Sequence, residues 1–180
     1  APSKGTFNHF MEKEIHEQPR SIGDTLRQFI DHDNSIISKP DLKINWQGIN
    51  RIHLIACGTA YYSCMIAKYF FEQQAKVPSE CDMASEFRYR DPILSNDTLY
   101  IFVSQSGETA DTLAALKYCN THNAHTVSVV NVVNSSIARD SNNVIYTKAG
   151  PEIGVASTKA FTAQLITLLS LSIICGSSKN

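Results

Sequence analysis

The sequence predicts an α/β fold: a mainly parallel five-stranded sheet between two layers of helices, a three-layer α/β/α sandwich preceded by N-terminal helices. Two observations lead to this prediction. Short apolar runs alternate with longer segments of helical periodicity beyond residue 50, which is the pattern of β-α-β crossovers in a parallel sheet. The chain also has 180 residues, enough for one domain with a substantial core.

The first fifty residues differ in pattern from the rest. Residues 7–17 and 21–31 have the periodicity of two short helices, which we expect to be separated at Pro19, with Ser21 as the N-cap of the second. Residues 33–50 are polar and contain a proline, which favours a loop or linker. We therefore divide the chain into a helical segment with a linker, 1–50, and an α/β domain, 51–180.

Five apolar or β-branched runs predict the strands of the sheet: 51–56, 79–83, 98–103, 125–130 and 143–146. The segments between and after them predict the helices 60–74, 84–88, 109–119 and 157–175, with Gly176 ending the last one. In such sheets, ligands bind at the carboxyl ends of the strands, near the switch in strand order. We therefore expect the loops at 57–60, 104–109 and 154–159 to converge on one crevice.

Composition excludes several classes of function. The net charge is −1, and 18% of the residues are charged, so no basic surplus indicates nucleic acid as a partner. The five cysteines lack CxxC spacing, which favours reduced, mostly buried thiols in a cytoplasmic protein. The apolar run 165–175 is shorter than the roughly 18 residues of a membrane span. We therefore expect no membrane, no cofactor and no metal.

The loop at 104–109 is the strongest candidate site. It follows the clearest buried strand, opens a helix, and reads Ser104-Gln105-Ser106-Gly107-Glu108-Thr109. A structural βα turn would need Gly107 and one capping hydroxyl, not three hydroxyls and an amide. Hydroxyl and main-chain donors at the positive end of a helix dipole suit a phosphate. Since GxxxxGK[ST] and GxGxxG are both absent, a nucleotide is disfavoured.

The other two loops are less specific. Ser157 or Thr158 is an adequate helix N-cap, whereas Lys159 in a first turn opposes the helix dipole and so suggests a purpose. Thr59 is either a ligand donor or a structural residue. Cys57 has no evident catalytic base, so a buried thiol is the favoured interpretation.

No residue qualifies as a catalyst. Glu108 and Glu152 are the carboxylates beside the candidate loops, but each is equally explained as stabilising a helix N-terminus. His9 and His16 lie on one helix face without a third ligand, which favours surface histidines over a metal site.

Four segments resemble the sugar isomerase (SIS) domains, and specifically the first SIS domain of the glutamine–fructose-6-phosphate aminotransferase family, the glucosamine-6-phosphate synthases. They are CGT at 57–59, ASEFRY at 84–89, SQSGETADT at 104–112 and EIGVASTKAFT at 152–162. EIHEQP at 14–19 is similar to the helix that enters the isomerase half of those enzymes. The resemblance covers nearly the whole chain and implies a flavodoxin-like SIS fold.

The resemblance also implies the ligand and its contacts. Ser104, Gln105, Ser106 and Thr109 would hold the phosphate of fructose 6-phosphate or glucosamine 6-phosphate. Thr59, Val155 and Ser157 would contact the sugar. Ala60 departs from the serine that the family often has at this position, which removes one hydroxyl contact.

The family's complete enzymes transfer the amide nitrogen of glutamine to fructose 6-phosphate, and they also contain a glutaminase domain and a second SIS domain. We therefore expect this chain to be a fragment that binds sugar phosphate, forms a homodimer and does not turn substrate over. Two alternatives are a regulatory SIS module that senses a phosphosugar and a stand-alone sugar-phosphate isomerase. The first should bring a basic DNA-binding segment, and the second its own acid–base pair.

Overall fold

The computed structural model describes residues 3–31, 36–37 and 41–179. Its helices and strands, in chain order, are α1 (Phe10–His16), α2 (Gln18–Leu26), β1 (Ile30–Asp31), β2 (Ile36–Ile37), β3 (Arg51–Ala56), α3 (Gly58–Phe70), β4 (Ser79–Met83), α4 (Ala84–Phe87), β5 (Thr98–Ser104), α5 (Ala110–Thr121), β6 (His125–Val130), α6 (Ser136–Asp140), β7 (Val144–Tyr146) and α7 (Lys159–Lys179). A 3₁₀ turn, Trp46–Gly48, precedes β3, and a π turn, Phe71–Ala75, extends α3. The predicted α/β alternation beyond residue 50 is confirmed.

Strands β3 to β7 form a parallel five-stranded sheet in the order β4-β3-β5-β6-β7. The chain passes from β3 to β4 at one edge and then crosses back to β5 on the other side of β3. The switch in strand order therefore lies between β3 and β5, and Ala56 at the end of β3 pairs with Val103. Because these carboxyl ends are neighbours, the loops that follow them meet.

Both faces of the sheet are covered, as predicted for a three-layer sandwich. Every residue of β5 is buried, which is typical of the central strand of a parallel sheet. One face packs on α3 and α7, where Leu54 and Ile101 meet Leu168. The other face packs on α4, α5 and α6, where Phe102 meets Leu116.

Helix α7 is long and apolar enough to cross a membrane by length and composition alone. It instead lies inside the domain, packed against α2, α3 and the π turn. Its buried residues are distributed around the helix, from Ala160 to Gly176. A helix that is apolar on all sides is typical of a domain core, so burial accounts for its composition.

The two predicted N-terminal helices are present, but they are separated at Glu17 rather than at Pro19. Pro19 lies in the first turn of α2, whose N-cap is Glu17. Proline is tolerated there because its missing N–H would have no intrahelical acceptor. Ser21 is consequently inside α2 rather than at its N-cap. The helix also ends at Leu26, earlier than predicted, and residues 30–31 form β1.

Gly176 does not end α7, which continues to Lys179. A Cβ atom at Gly176 would lie 2.4 Å from the carbonyl oxygen of Gln74. The glycine is therefore a contact point between α7 and the π turn, not a helix stop. The sequence-based assignment also missed α6. The predicted loop at 33–50 lies partly outside the described residues.

The apolar residues at the end of α3 and along α7 belong largely to the core. Phe71 and most of α7 are buried inside the domain. The exposed apolar side chains of α3 are instead Tyr62, Met65, Ile66 and Tyr69.

Candidate functional site

The structure brings all three candidate loops to one cavity of about 250 Å³ at the carboxyl ends of β3 and β5. All seven residues singled out in the sequence line it: Thr59, Ser104, Gln105, Ser106, Thr109, Val155 and Ser157. They come from the start of α3, the loop between β5 and α5, and the loop before α7. The cavity therefore sits at the switch in strand order.

The loop at 104–109 is held in shape by its own hydroxyls. The buried Ser104 Oγ accepts the Gly107 N–H at 3.0 Å and lies 3.0 Å from Thr109 Oγ1. Ser106 Oγ accepts the Glu108 N–H at 3.1 Å. Since these oxygens already accept main-chain protons, the Ser106 hydroxyl and one of the Ser104–Thr109 pair can donate to a ligand. The loop is preorganised as a set of donors.

Two helix N-termini border the same cavity. Thr109 is the N-cap of α5 and Cys57 the N-cap of α3, and neither side chain makes a capping hydrogen bond. The first-turn amides of an uncapped helix carry partial positive charge and need acceptors. This side of the cavity is therefore suited to an anion.

The cavity lining also includes the carboxylate of Glu152. Glu152 Oε1 accepts the main-chain N–H groups of Thr158 at 2.9 Å and Ala160 at 3.2 Å, and Oε2 accepts the Ser157 hydroxyl at 3.1 Å. Glu152 thus caps α7, which is the structural role considered for it from the sequence. A negative charge on Glu152 repels an anion placed beside it.

Glu108 also has a structural role. Its carboxylate accepts the Ser136 N–H at 2.8 Å, at the start of α6. Hydrogen bonds from Ser136 lower the pKa of Glu108. The residue is not part of the cavity lining, so neither carboxylate beside the loops is poised as a base in this structure.

Gln164 is a lining residue that the sequence analysis missed. It belongs to α7, is 2% exposed, and its Oε1 has no hydrogen-bond partner among the described residues. A buried amide oxygen without a partner is uncommon and suits a ligand hydroxyl. The only signal in the sequence was a glutamine within an apolar helix.

The cysteines are free thiols. Burial raises the pKa of Cys81 to about 11 and that of Cys119 to about 12, which makes them poor nucleophiles. The described residues also contain no group of three or more His, Cys, Asp or Glu side chains placed to hold a metal ion.

Lys159, the cation in the first turn of α7, forms an ion pair with Glu17. Its side chain is 5% exposed, and its Nζ donates to Glu17 Oε2 at 2.6 Å. This hydrogen bond is the largest cause of a lowered pKa at Glu17, to which Lys13 also contributes. The pair joins the end of α1 to the start of α7.

The Glu17→Gln variant should be less stable than the wild type at neutral pH. The difference in stability between the two proteins should be smaller in acid. A carboxyl with a lowered folded-state pKa contributes stability above its unfolded pKa, near 4.5, and loses it as pH falls through the folded value. The difference in melting temperature between the two proteins should therefore shrink below about pH 4.5. Thermal unfolding at pH 7, 5 and 3.5 measures it, with Glu12→Gln as the exposed control on α1. A pH-independent difference would contradict this assignment.

The chain is similar to known proteins over nearly its whole length. The family profile of the SIS domain matches residues 47–174. A glutamine–fructose-6-phosphate aminotransferase (isomerizing) of Bradyrhizobium diazoefficiens is 54% identical over 177 residues, covering 98% of this chain and 29% of that protein. The enzyme of the same name from Clostridium acetobutylicum is 49% identical, with 100% and 30% covered.

A solved structure is similar over the whole chain. The C-terminal domain of glucosamine-fructose-6-phosphate aminotransferase from Francisella tularensis superposes with a TM-score of 0.93 at 42% identity, covering 99% of this chain and 50% of that one. The chain thus spans about 29% of the curated relatives' length and is homologous to the isomerase part of those enzymes. It belongs to the SIS domain family.

Proposed function

We propose that this chain binds fructose 6-phosphate or glucosamine 6-phosphate, as the sugar-phosphate-binding domain in the isomerase part of a glutamine–fructose-6-phosphate aminotransferase. The observation that carries the proposal is the convergence of seven polar or loop residues, chosen from the sequence, on one cavity beside two uncapped helix N-termini. The names of the similar proteins described above support the choice of substrate.

The distribution of charge assigns an orientation to the ligand. The phosphate lies against the hydroxyls of Ser104, Ser106 and Thr109 and the first turn of α5, away from the Glu152 carboxylate. The hexose then extends toward Val155 and Ser157, with the Gln164 amide oxygen available to a sugar hydroxyl. Ala60 offers no hydroxyl in this arrangement.

The contacts are sufficient for a metabolite. Hydrogen bonds to charged groups contribute about 1.5–3 kcal/mol each, so four of them amount to roughly 6–12 kcal/mol before the cost of ordering the ligand. After that cost, an affinity between about 1 μM and 1 mM is reasonable.

We further propose that the chain alone does not turn the sugar over. Moving a proton between adjacent carbons requires a positioned base, and Glu152 and Glu108 are both engaged at helix N-termini. An isomerase assay tests this statement, and a measurable rate would favour the stand-alone isomerase instead. A homodimer and a cytoplasmic location complete the proposal, and light scattering on the purified chain tests the dimer.

The Thr109→Val variant should bind glucosamine 6-phosphate about tenfold to a hundredfold more weakly, the value of one hydrogen bond to a charged group. Valine keeps the shape of threonine but removes the hydroxyl at the start of α5. Isothermal titration calorimetry measures the change. Thr109→Ser retains the hydroxyl and should bind within about threefold of the wild type.

A second control is Thr121→Val, which makes the same change at the exposed far end of α5. It should bind as the wild type does. Equal affinities for Thr109→Val and the wild type would overturn the proposed phosphate site.

A further inference from the structure

The N-terminal helices are fastened to the segment that leads from β7 to the sugar side of the cavity. Three side chains on α2 and just beyond it donate to main-chain carbonyl groups of that segment: Ser21 to Ala149, Thr25 to Thr147 and Gln28 to Tyr146. Their spacing of four and three residues places them on one face of the helix. The face therefore packs along residues 146–149 of the segment that leads to the cavity.

Glu14 on α1 binds the same segment closer to the cavity, at residues 153 and 154. It is 2% exposed, and its carboxylate accepts the Ile153 N–H at 2.6 Å and the Gly154 N–H at 3.1 and 3.2 Å. A buried carboxylate is costly unless it is hydrogen-bonded, and charge-assisted bonds of this kind are strong. Glu14 therefore fixes the main chain directly before Val155.

Helix α1 packs so closely against this loop that no side chain fits at position 154. A Cβ atom on Gly154 would lie 2.7 Å from Glu14 Oε2 and 3.4 Å from Met11 Cα. Only a residue without a side chain allows the carboxylate to reach both amides. The glycine of the sequence motif is thus explained by a contact with α1, 140 residues away in the chain.

Beyond this contact the loop projects into solvent. Val155 is fully exposed and Ala156 is also exposed. The side chains that hold the loop's main chain from either end are Glu14, before Val155, and Glu152, which binds Ser157 and Thr158 after it. The position of the predicted sugar contacts therefore depends on both carboxylates.

We propose that Glu14 is a positioning residue for the loop before α7, which carries the predicted sugar contacts Val155 and Ser157. The helical segment before the SIS domain would then form part of the site. The inference rests on the proposed function. Glu14 acts on the hexose end of the ligand, because it binds the two main-chain N–H groups directly before Val155. It does not act on the phosphate end, where the loop at 104–109 is held by its own hydrogen bonds.

This division predicts a selective loss. In Glu14→Gln, one of the two acceptor oxygens is replaced by an NH₂ group that faces main-chain N–H donors. Fructose 6-phosphate should bind about tenfold more weakly, whereas inorganic phosphate should bind within about twofold of the wild type. Calorimetry on the 180-residue chain with both ligands measures the ratio.

A second measurement needs no ligand. Amide hydrogen exchange followed by NMR should show the Ile153 and Gly154 protons exchanging at least about tenfold faster in Glu14→Gln than in the wild type. The control is Glu12→Gln, which changes an exposed carboxylate on the same helix. It should alter neither the exchange rates nor the two affinities.

The outcomes separate this inference from the proposed function. An equal loss of both ligands would indicate a general folding defect and overturn the positioning role, as would unchanged exchange or unchanged fructose 6-phosphate affinity. A wild-type chain that binds no fructose 6-phosphate would overturn the proposed function and, with it, the role of Glu14 in sugar binding. In that case faster exchange would still assign Glu14 to the shape of the loop.

Discussion

The Gly107→Ala variant is expected to unfold at a temperature roughly 5–15 °C lower than the wild type and to bind glucosamine 6-phosphate at least about tenfold more weakly. Gly107 has a φ of +66°, and a Cβ atom there would lie 2.0 Å from Ser135 Oγ and 2.5 Å from Ser135 Cβ. The left-handed conformation costs another residue about 1–2 kcal/mol, and the overlap adds about 1–3 kcal/mol. The same shift displaces the hydroxyls of the loop at 104–109.

A double variant separates these two causes. Ser135 is the N-cap of α6, but its side chain makes no capping hydrogen bond, so Ser135→Gly removes the overlapping atoms at a cost of a few tenths of a kcal/mol. Gly107→Ala/Ser135→Gly should recover about half of the lost stability, since only the unfavourable φ remains. Differential scanning calorimetry measures all three proteins. A Gly107→Ala chain as stable as the wild type would contradict the loop geometry.

The Gly176→Ala variant should be destabilised by about 1–3 kcal/mol, although alanine favours a helix interior by about 1 kcal/mol over glycine. The added Cβ would lie 2.4 Å from the carbonyl oxygen of Gln74 and 3.2 Å from Ala75 Cα. Main-chain atoms of a packed turn cannot rotate away as a side-chain tip can. The steric cost therefore exceeds the gain in helix propensity. Urea denaturation measures the free energy of unfolding.

Gly23→Ala is the matched control for this prediction. Gly23 lies inside α2, and a Cβ there would meet only the end of the Arg27 side chain, at 3.9 Å. The chain should gain about 0.5–1 kcal/mol of stability. The glycine-to-alanine substitutions in the two helices are thus expected to change the stability in opposite directions. A stabilising Gly176→Ala would show that α7 does not pack on the π turn as described.

The parts of the fold that could be predicted from sequence are those with a local cause. The strand around Ile101 is a short apolar run because both of its faces are buried, and the loop after it is rich in hydroxyls within six residues. Both signals are contiguous in the chain. The parallel sheet then places the ends of β3 and β5 side by side without further information.

The features that sequence analysis missed depend on contacts between distant residues. Ser21 has the character of an N-cap, but its hydroxyl is taken by a carbonyl 128 residues away. Gly176 resembles a helix stop, but the π turn determines its identity. Pro19 is compatible with either a break or a first turn, and local sequence does not decide between them.

The same limit applies to contacts made by two carboxylates and a lysine near the site. Glu14 and Glu17 belong to a helix that was expected to precede the domain, yet they bind Gly154 and Lys159 at the start of α7 and in the loop before it. No periodicity or spacing in the sequence indicates a contact between residues so far apart in the chain. What the sequence did offer was the anomaly of a cation in the first turn of α7, for which Glu17 is the explanation.

A crystal structure of the chain with glucosamine 6-phosphate tests the proposed site most directly. The ligand phosphate should lie within hydrogen-bond distance of the Ser104, Ser106 and Thr109 hydroxyls and the first turn of α5, with the hexose against Val155 and Ser157. A ligand bound elsewhere on the domain, or oriented with its phosphate beside Glu152, would contradict the proposed function.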